Sequence, residues 1–335
     1  MSRIIARHSY YLIEDVPFVP RNIQYDLSLW DPICFKRTDV GYYFNKEKGE
    51  LRIPRGYSEV ALKNVFPEHT FVLDKEGFYP YDKVNINLTN PPRNYRQEQI
   101  LAFMIGKSPY EKMEKHSQLY VTLDTGEGKT FTGIATLCYY SCRGVVFTPS
   151  TNGKIGTQWF DSVLKFTTLT PSEVLLVGGS SMCKDIVKGK YEHVKIFIIP
   201  RSTILAFVKK YDNDWNMVEV LIKKMNVGIK IMDEAHMDFN NLVNLDCHAN
   251  TKRTYYMSSS PSRSRLEEKI IYRRVFREVP QCGKSLKSKE QNHIIGLIML
   301  FKSTPTYEQI KAIKTRHGPS TAKYGDYLLD EDGAR

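Results

Sequence analysis

Short apolar runs and amphipathic segments alternate along the chain from residue 91 onward. Unbroken apolar runs bounded by turn residues predict buried strands. They lie at 119–123, 144–149, 173–178, 194–200, 227–235 and 253–259. Apolar residues at helical spacing predict helices, which lie at 95–107, 129–140, 156–166 and 202–211. Buried strands separated by helices are typical of a parallel sheet covered on both faces, so residues 91–280 are predicted to form a doubly wound α/β domain.

Residues 1–90 have a different pattern, in which short alternating stretches are separated by turn residues. The stretch GYYFNKEKGELRIPRGY at 41–57 predicts two strands joined by a polar turn, and 70–84 has a similar pattern. We therefore predict a small strand-rich domain over 1–90, which ends near the paired prolines of NLTNPPRNY. Residues 281–335 begin with a basic polar stretch and are interpreted as a linker or the start of a further unit.

Charge and cysteine usage narrow the class of protein. The 335 residues include 48 Lys and Arg against 37 Asp and Glu, a net charge of +11. This excess favours a polyanionic partner such as nucleic acid, and the alternative is a basic protein with a solvated face. Six cysteines form no C-x-x-C pair and complete no zinc set, so we expect reduced thiols in an intracellular, cytoplasmic-type compartment. The longest apolar run, IIGLIMLF at 294–301, is shorter than the ~20 residues of a membrane-spanning helix, so no membrane partner is expected.

A glycine-rich turn lies between a predicted strand and a predicted helix in LYVTLDTGEGKTF, although a leucine stands where the common phosphate-loop pattern has its first glycine. Gly126 and Gly128 permit a tight backbone whose N–H groups point at phosphate oxygens, and the start of the helix adds partial positive charge. Lys129 can then reach the β- and γ-phosphates of ATP, and the Thr130 hydroxyl can bind Mg²⁺. The alternative is a glycine-rich turn without a ligand.

Two acidic residues end another predicted strand, in VGIKIMDEAHMDF at 227–239. One carboxylate in this position can hold Mg²⁺, and a second can polarise the water that attacks a phosphate. Asp233 suits the first role and Glu234 the second. Two acids after a strand are often only solvated loop residues, but the phosphate loop upstream lets one domain supply both halves of a Mg–ATP site.

Three stretches occur in a fixed order: GEGKT at 126–130, DEAH at 233–236 and SSSPSR at 258–263. They resemble motifs I, II and III of superfamily 2 helicases and translocases. The similarity extends over residues 90–265 and is to the branch of phage branch-migration helicases, a poxvirus transcript-release helicase and the transcription-repair helicase. Members rely on the inner Thr-Gly-x-Gly-Lys-Thr, so the leucine is no departure, whereas serines replace the usual Thr-Ala-Thr of motif III. The resemblance implies a RecA-like ATP-binding domain.

Further stretches resemble motifs of the same branch. VVFTPSTNGKIGTQW at 145–159 is similar to motif Ia, IFIIPRST at 196–203 lies where motif Ib is expected, and YRQEQ at 95–99 resembles the glutamine motif that reads adenine. Arg96 and Gln99 occupy the R-x-x-Q positions of that motif, so the resemblance implies Gln99 as the adenine contact, and Gln97 is the rival for this role in the local alignment. For Trp159, base stacking and packing against the sheet are both open, and we favour packing.

The resemblance then implies roles by position. The catalytic set is Lys129, Asp233 and Glu234, and the Mg²⁺ ligands are Thr130 and Asp233. The ATP-binding set is Tyr95, Gln97, Gln99, Thr125, Gly126, Glu127, Gly128, Lys129 and Thr130. The residues that couple hydrolysis to strand movement are His236, Ser258, Ser259 and Ser260. The nucleic-acid backbone contacts are Thr148, Pro149, Ser150, Arg201, Ser202 and Thr203.

These helicases work with two motor domains, and the second carries an arginine finger that contributes roughly a thousandfold to phosphoryl transfer. No run of that type is found in 266–335. We expect the second motor domain to come from a missing C-terminal part or from a partner chain, and this chain alone to hydrolyse ATP slowly.

The sequence therefore predicts the ATP-binding half of a nucleic-acid helicase or translocase, with ATP and Mg²⁺ as cofactors and DNA as a more probable substrate than RNA. Two alternatives are a nucleic-acid-binding module that does not hydrolyse ATP and a restriction-type motor subunit that needs a partner chain. The domain at 1–90 either grips duplex DNA ahead of the motor or serves as a structural cap.

Overall fold

The computed structural model describes residues 2–31, 36–74, 82–107, 117–124, 126–149, 154–259 and 266–283, together with 314–315 and 318–319. Within the chain, Met1–Ser288 form one compact unit and Lys289–Arg335 a second.

The first elements of the larger unit build a small sheet. They are β1 (Arg3–Ala6), β2 (Tyr10–Ile13), α1 (Arg21–Leu27), β3 (Ser28–Asp31), β4 (Lys36–Asp39), β5 (Tyr43–Asn45), β6 (Glu50–Pro54), α2 (Glu59–Val65) and β7 (Thr70–Leu73). The five-stranded sheet has the order β5-β6-β2-β1-β7, and β3 pairs with β4 separately. The hairpin predicted in 41–57 is confirmed as β5 and β6, whose register pairs Tyr43 with Arg52. In 70–84, β7 instead pairs in parallel with β1, and residues 75–81 lie outside the described part.

The remaining elements of this unit build a parallel sheet with its helices. They are α3 (Tyr95–Met104), β8 (Gln118–Thr122), α4 (Lys129–Tyr140), β9 (Gly144–Thr148), α5 (Lys154–Phe166), β10 (Val174–Leu176), α6 (Ser180–Val187), β11 (Ile196–Pro200), α7 (Arg201–Lys209), α8 (Asn216–Met225), β12 (Ile229–Met232), α9 (Phe239–Asp246), β13 (Arg253–Ser258), α10 (Leu266–Val275) and β14 (Gln281–Cys282). The order is β10-β11-β9-β12-β13-β8-β14, and every pair is parallel.

Two apolar cores cover the two faces of the parallel sheet, because its strands are apolar at successive positions and not only at alternate ones. On one face, Val146 of β9 packs in a cluster with Ile134 of α4. On the other face, Phe147 belongs to the same cluster as Ile4 and Ile53 of the small sheet. The doubly wound α/β fold with a smaller strand-rich sheet is thus confirmed. The domain limits at 90 and 280 stay predictions, and the two sheets share one of these cores.

A buried polar cluster joins the small sheet to the parallel sheet. Lys230 of β12 is fully buried, and its Nζ lies 2.5 Å from Asp246 Oδ1. The same ammonium group donates to Ser9 Oγ at 2.9 Å and to the carbonyl oxygen of Ala249 at 2.6 Å. The Tyr256 hydroxyl donates to the second oxygen of Asp246. Ser9 belongs to the turn between β1 and β2. A residue from the small sheet's connections therefore accepts a hydrogen bond from the buried Lys230 ammonium group of the parallel sheet.

Cysteines in the described residues are structural. Cys138, Cys142, Cys183, Cys247 and Cys282 are buried and form no disulfide with one another. Burial raises the pKa of the Cys138, Cys142 and Cys183 thiols to about 12, which keeps them protonated at neutral pH.

None of the helices in the described ranges is long and apolar enough to cross a membrane. In the smaller unit, β15 (Lys314–Thr315) pairs with β16 (Gly318–Pro319) in antiparallel fashion.

Candidate nucleotide-binding site

The glycine-rich turn connects the carboxyl end of β8 to α4, as the sequence predicts. Gly126 and Gly128 have φ angles of +87° and +96°, a left-handed backbone that favours glycine. A Cβ atom on Gly128 would also lie 2.3 Å from Gln97 Nε2, so the position has no room for a side chain in this arrangement. Asp124 N donates to Glu127 Oε2 at 2.8 Å, which closes the turn from the inside. Thr125 lies outside the described residues.

The lysine of this turn contacts the acidic pair at the end of β12. Lys129 is the first residue of α4, and its Nζ donates to Glu234 Oε1 at 2.5 Å. Asp233 precedes Glu234 and accepts a hydrogen bond from the Glu234 N–H at 3.0 Å. The two predicted halves of a Mg–ATP site therefore meet at the carboxyl edge of one parallel sheet, the usual place for ligands in open α/β folds.

Asp233 is held by a tryptophan from the neighbouring helix. Trp159 of α5 is buried, as the packing interpretation expects, and its Nε1 donates to Asp233 Oδ2 at 2.8 Å. Burial raises the pKa of the Asp233 carboxyl, and the hydrogen bond from Trp159 and the charge of Lys129 oppose that rise. The indole thus orients one carboxylate oxygen. The sequence did not reveal this contact.

A cleft of about 330 Å³ opens over these groups. Its lining combines the phosphate loop with both acids and with residues of α3 and α5, including Gln97, Gly126, Lys129, Thr130, Gln158 and Glu234. The lining thus includes both hydrogen-bond donors and carboxylates, the groups that an anionic ligand with a bound cation requires.

The donor set of the cleft fits Mg²⁺. The Thr130 hydroxyl and the Asp233 carboxylate are hard oxygen ligands, which this ion prefers. In the described parts of the chain no group of three or more His, Cys, Asp or Glu side chains could hold a metal ion. That finding agrees with a Mg²⁺ site, because this ion usually binds through one or two protein oxygens, substrate phosphates and several waters.

The two glutamines of the predicted adenine motif have different surroundings. Gln97 is buried, its Oε1 accepts from Arg93 N at 2.9 Å, and its Nε2 donates to the carbonyl oxygen of Glu127 at 3.3 Å. Gln99 is half-buried and is not part of the cleft lining. Tyr95 is 71% exposed, with a ring face accessible at the start of α3.

The histidine of the acidic loop contacts the end of β13. His236 Nδ1 lies 2.7 Å from Ser258 Oγ and 3.3 Å from Glu234 Oε2. Ser258 is fully buried and Ser259 is half-buried, whereas Ser260 lies outside the described residues. One imidazole therefore connects the acid predicted to polarise water with the strand that carries the motif III serines.

The residues predicted to contact nucleic acid differ in accessibility. Thr148 and Pro149 are buried, and Thr203 is 8% exposed. Ser202 is exposed, while Ser150 lies outside the described residues.

Among these predicted contacts, Arg201 has the most buried charged side chain. Its side chain is 1% exposed and bonds to backbone carbonyls of the loop that follows β12, so it does not reach a bound strand in this conformation. These contacts depend on the packing of Arg201 against the loop after β12, and the position of Arg201 in the motif does not predict them.

Comparisons with solved structures find similar chains at low sequence identity. The UvsW helicase from bacteriophage T4 aligns at 12% identity over 83% of this chain and 98% of its own, with a TM-score of 0.49. The Hef helicase domain from Pyrococcus furiosus aligns at 18% identity over 57% of this chain and 38% of its own, with a TM-score of 0.41. A hypothetical ATP-dependent RNA helicase from Sulfolobus tokodaii aligns at 16% identity over 58% of this chain and 53% of its own, with a TM-score of 0.39.

No protein-family model and no curated protein sequence matches this chain.

Proposed function

We propose that this chain is the ATP-binding motor domain of a nucleic-acid helicase or translocase. The observation that carries the proposal is the contact between Lys129 and Glu234 beside Asp233, at the mouth of a glycine-rich strand–helix turn. A lysine on a phosphate loop and two acids on an adjacent strand end are the parts that phosphoryl transfer from ATP requires. The order of the motifs along the chain supports the superfamily 2 assignment.

Binding of ATP would exchange the partner of Lys129. In the structure, Glu234 Oε1 lies 2.5 Å from the Lys129 ammonium group and neutralises its charge. The β- and γ-phosphates carry more negative charge and are cradled by N–H groups at the start of α4, so Lys129 turns to them. Glu234 is then released to accept a proton from the water that attacks the γ-phosphate. The ion pair thus holds the Lys129 ammonium group and the Glu234 carboxylate beside the place where the phosphates would bind.

Thr130 and Asp233 would hold Mg²⁺ when it is bound. The ion would supply positive charge that stabilises the negative charge developing during phosphoryl transfer. The hydrogen bond from Trp159 keeps Asp233 Oδ2 fixed. The other oxygen, Oδ1, accepts from the Glu234 N–H, so the carboxylate has one orientation.

We assign the adenine contact to Gln97, because it already contacts the phosphate loop through Glu127 and lines the cleft. Its amide is one donor and one acceptor, which matches the edge of adenine. Tyr95 is exposed at the start of the same helix and is placed to stack on the base. Gln99 is assigned no contact with ATP.

Coupling between ATP and nucleic acid would pass through His236. His236 Nδ1 lies near both Ser258 Oγ and Glu234 Oε2, so a change at either partner affects the imidazole that contacts the other. The net charge of +11 supports a nucleic-acid partner, and Ser202 offers an exposed hydroxyl at the start of α7. We propose DNA as the substrate and, from the resemblance, a second motor domain that supplies the arginine finger.

The proposal is tested by single-turnover hydrolysis of radiolabelled ATP by the chain, with and without single- or double-stranded DNA or RNA. We expect slow Mg²⁺-dependent hydrolysis that nucleic acid accelerates and that Glu234→Gln abolishes. Acceleration by DNA but not RNA would support the finer assignment. Hydrolysis that Glu234→Gln leaves intact, or ATP binding that no nucleic acid affects, would contradict the proposal.

A further inference from the structure

Arg201 lies at the junction between the predicted nucleic-acid contact and the ATP site. It is the first residue of α7, directly after β11, and the exposed Ser202 follows it. Its guanidinium group does not point outward with Ser202. The side chain is buried beneath the loop that follows β12.

The loop over Arg201 carries both acids of the ATP site and has a strained backbone. Glu234 and Asp238 have φ angles of +44° and +47°, in the left-handed region that non-glycine residues seldom adopt. Such conformations persist only where the surrounding structure holds them, and they cluster at functional sites. The position of the Glu234 carboxylate therefore depends on what fixes this loop.

Arg201 makes contacts of the required kind. Its Nη1 donates to the carbonyl oxygen of Asp233 at 2.8 Å. Its Nη2 lies 3.3 Å from the carbonyl oxygens of both Glu234 and Met237. The Asp238 carboxylate lies 3.9 Å from Arg201 Nε. One planar cation thus connects three carbonyls on both sides of the strained turn, which a lysine cannot do with a single ammonium group.

We propose that Arg201 is a positioning residue that holds the loop bearing Asp233 and Glu234 in its active conformation and links it to nucleic acid bound at Ser202. The proposal rests on the proposed function and deepens it. A strand seated on Ser202 fixes the first turn of α7, and that turn carries the backbone of Arg201. The guanidinium group then restricts the loop. Binding of nucleic acid at Ser202 therefore affects the position of the Glu234 carboxylate through the Arg201 side chain.

The competing role for Arg201 is the phosphate contact that the motif position predicts. That role requires the guanidinium group to leave its buried site, which would leave the carbonyls of Asp233, Glu234 and Met237 without this donor. The two roles differ in measurable ways. A phosphate contact contributes to nucleic-acid affinity and to its salt dependence. A loop contact contributes to turnover without nucleic acid.

The test compares Arg201→Met, Arg201→Lys and the control Lys209→Met, which removes an exposed cation at the other end of α7. The measured quantities are kcat and KM for ATP without nucleic acid, and the affinity for a labelled single-stranded oligodeoxynucleotide at several salt concentrations. We expect Arg201→Met to lower kcat by about tenfold or more, with KM and the salt dependence unchanged. Arg201→Lys should not restore kcat, and Lys209→Met should resemble wild type.

The opposite pattern would overturn the proposal: kcat without nucleic acid unchanged, weaker oligonucleotide binding, and a salt slope reduced by about 0.7. Lysine is an adequate phosphate contact, so restoration of full activity by Arg201→Lys would also overturn it. If Arg201→Met does not fold, as circular dichroism would reveal, Arg201→Lys alone decides the question. Failure of the wild-type chain to hydrolyse ATP would instead contradict the proposed function.

Discussion

The indole nitrogen of Trp159 donates a hydrogen bond to Asp233 Oδ2 at a distance of 2.8 Å. Trp159 is 1% exposed and belongs to the core between the parallel sheet and α5. The most buried acid of the cleft is therefore oriented from within the apolar core and not from solvent. A hydrogen bond to a charged group contributes about 1.5–3 kcal/mol, enough to affect ion binding.

Replacing this donor should weaken Mg²⁺ binding. Trp159→Phe keeps an aromatic ring and removes the N–H, so Asp233 Oδ2 loses the hydrogen bond that orients it. We expect the Mg²⁺ concentration that half-saturates binding of a fluorescent ATP analogue to rise about tenfold, which corresponds to ~1.4 kcal/mol. Trp215→Phe is the matched control, because Trp215 packs beside His248 and does not line the cleft. An equal Mg²⁺ requirement in all three proteins would refute the role given to the indole.

The buried pair of Lys230 and Asp246 should dominate the link between the two sheets. Lys230→Met leaves the Asp246 carboxylate buried without its counter-charge, and we expect the free energy of unfolding to fall by about 3–5 kcal/mol. The double variant Lys230→Met with Asp246→Leu should lose less than the sum of the single losses, since neither charge remains.

Urea denaturation of these variants gives the free energies. The exposed pair of Lys63 and Glu59 provides the comparison, and Lys63→Met should cost at most about 1 kcal/mol. Equal losses for Lys230→Met and Lys63→Met would show that the buried cluster does not hold the two sheets together.

His248 should make the folded state sensitive to mild acid. Burial and the nearby charge of Arg52 lower the pKa of His248 from 6.5 to about 3, while its bond to the carbonyl of Asn244 opposes that change. The folded state therefore favours the neutral imidazole, and the unfolded state protonates first as the pH falls. This contribution to stability is complete above pH ~6.5 and is lost as the pH falls towards ~3, by up to about 1.4 kcal/mol per pH unit.

His248→Phe removes this titration. The free energy of unfolding of wild type minus that of His248→Phe, measured from pH 7.5 to 5, should be constant above pH ~7 and should decrease below it, because only wild type loses stability through this imidazole. A constant difference over the whole range would mean that His248 keeps an ordinary pKa in the folded protein.

The contact between His236 and Ser258 should matter for coupling more than for nucleotide binding. Ser258→Ala removes the hydroxyl 2.7 Å from His236 Nδ1, the same atom that lies 3.3 Å from Glu234 Oε2. We expect stimulation of hydrolysis by nucleic acid to fall at least about fivefold, with ATP affinity nearly unchanged. His236→Ala should lower stimulation at least as much, because it also removes the contact with Glu234, and the double variant should lose no more than His236→Ala alone. Additive losses would indicate separate roles.

The sequence predicted those parts of the site that depend on local structure. A strand, two glycines, a lysine and a helix follow one another in β8, Gly126, Gly128 and α4, so the phosphate loop needed no tertiary information. The acids at the end of β12 were predictable for the same reason. Their approach to Lys129 followed from the rule that parallel strands end at one edge of a sheet.

Contacts that depend on the order of strands were not predictable in this way. Lys230 interrupts an apolar strand, and its partners Ser9 and Asp246 lie far from it in the sequence. Arg201 lies at a motif position typical of a surface contact, yet β11 is separated from β12 only by β9, which brings Arg201 under the acidic loop. Packing of Trp159 against the sheet was predicted correctly. Its hydrogen bond to Asp233 was not predictable, because it depends on how α5 packs beside β12.

The most direct test of the account is calorimetric titration of ATP into the wild-type chain and two variants, with and without Mg²⁺. The wild type should bind ATP in a Mg²⁺-dependent manner, and Lys129→Met should weaken binding by about tenfold or more because the phosphates lose their cation. Glu234→Gln should bind ATP at least as tightly as wild type, since the nucleotide no longer competes with the Glu234 carboxylate for Lys129. Absence of Mg²⁺-dependent binding to the wild type, or equal binding by wild type and Lys129→Met, would contradict the assignment of this cleft to ATP.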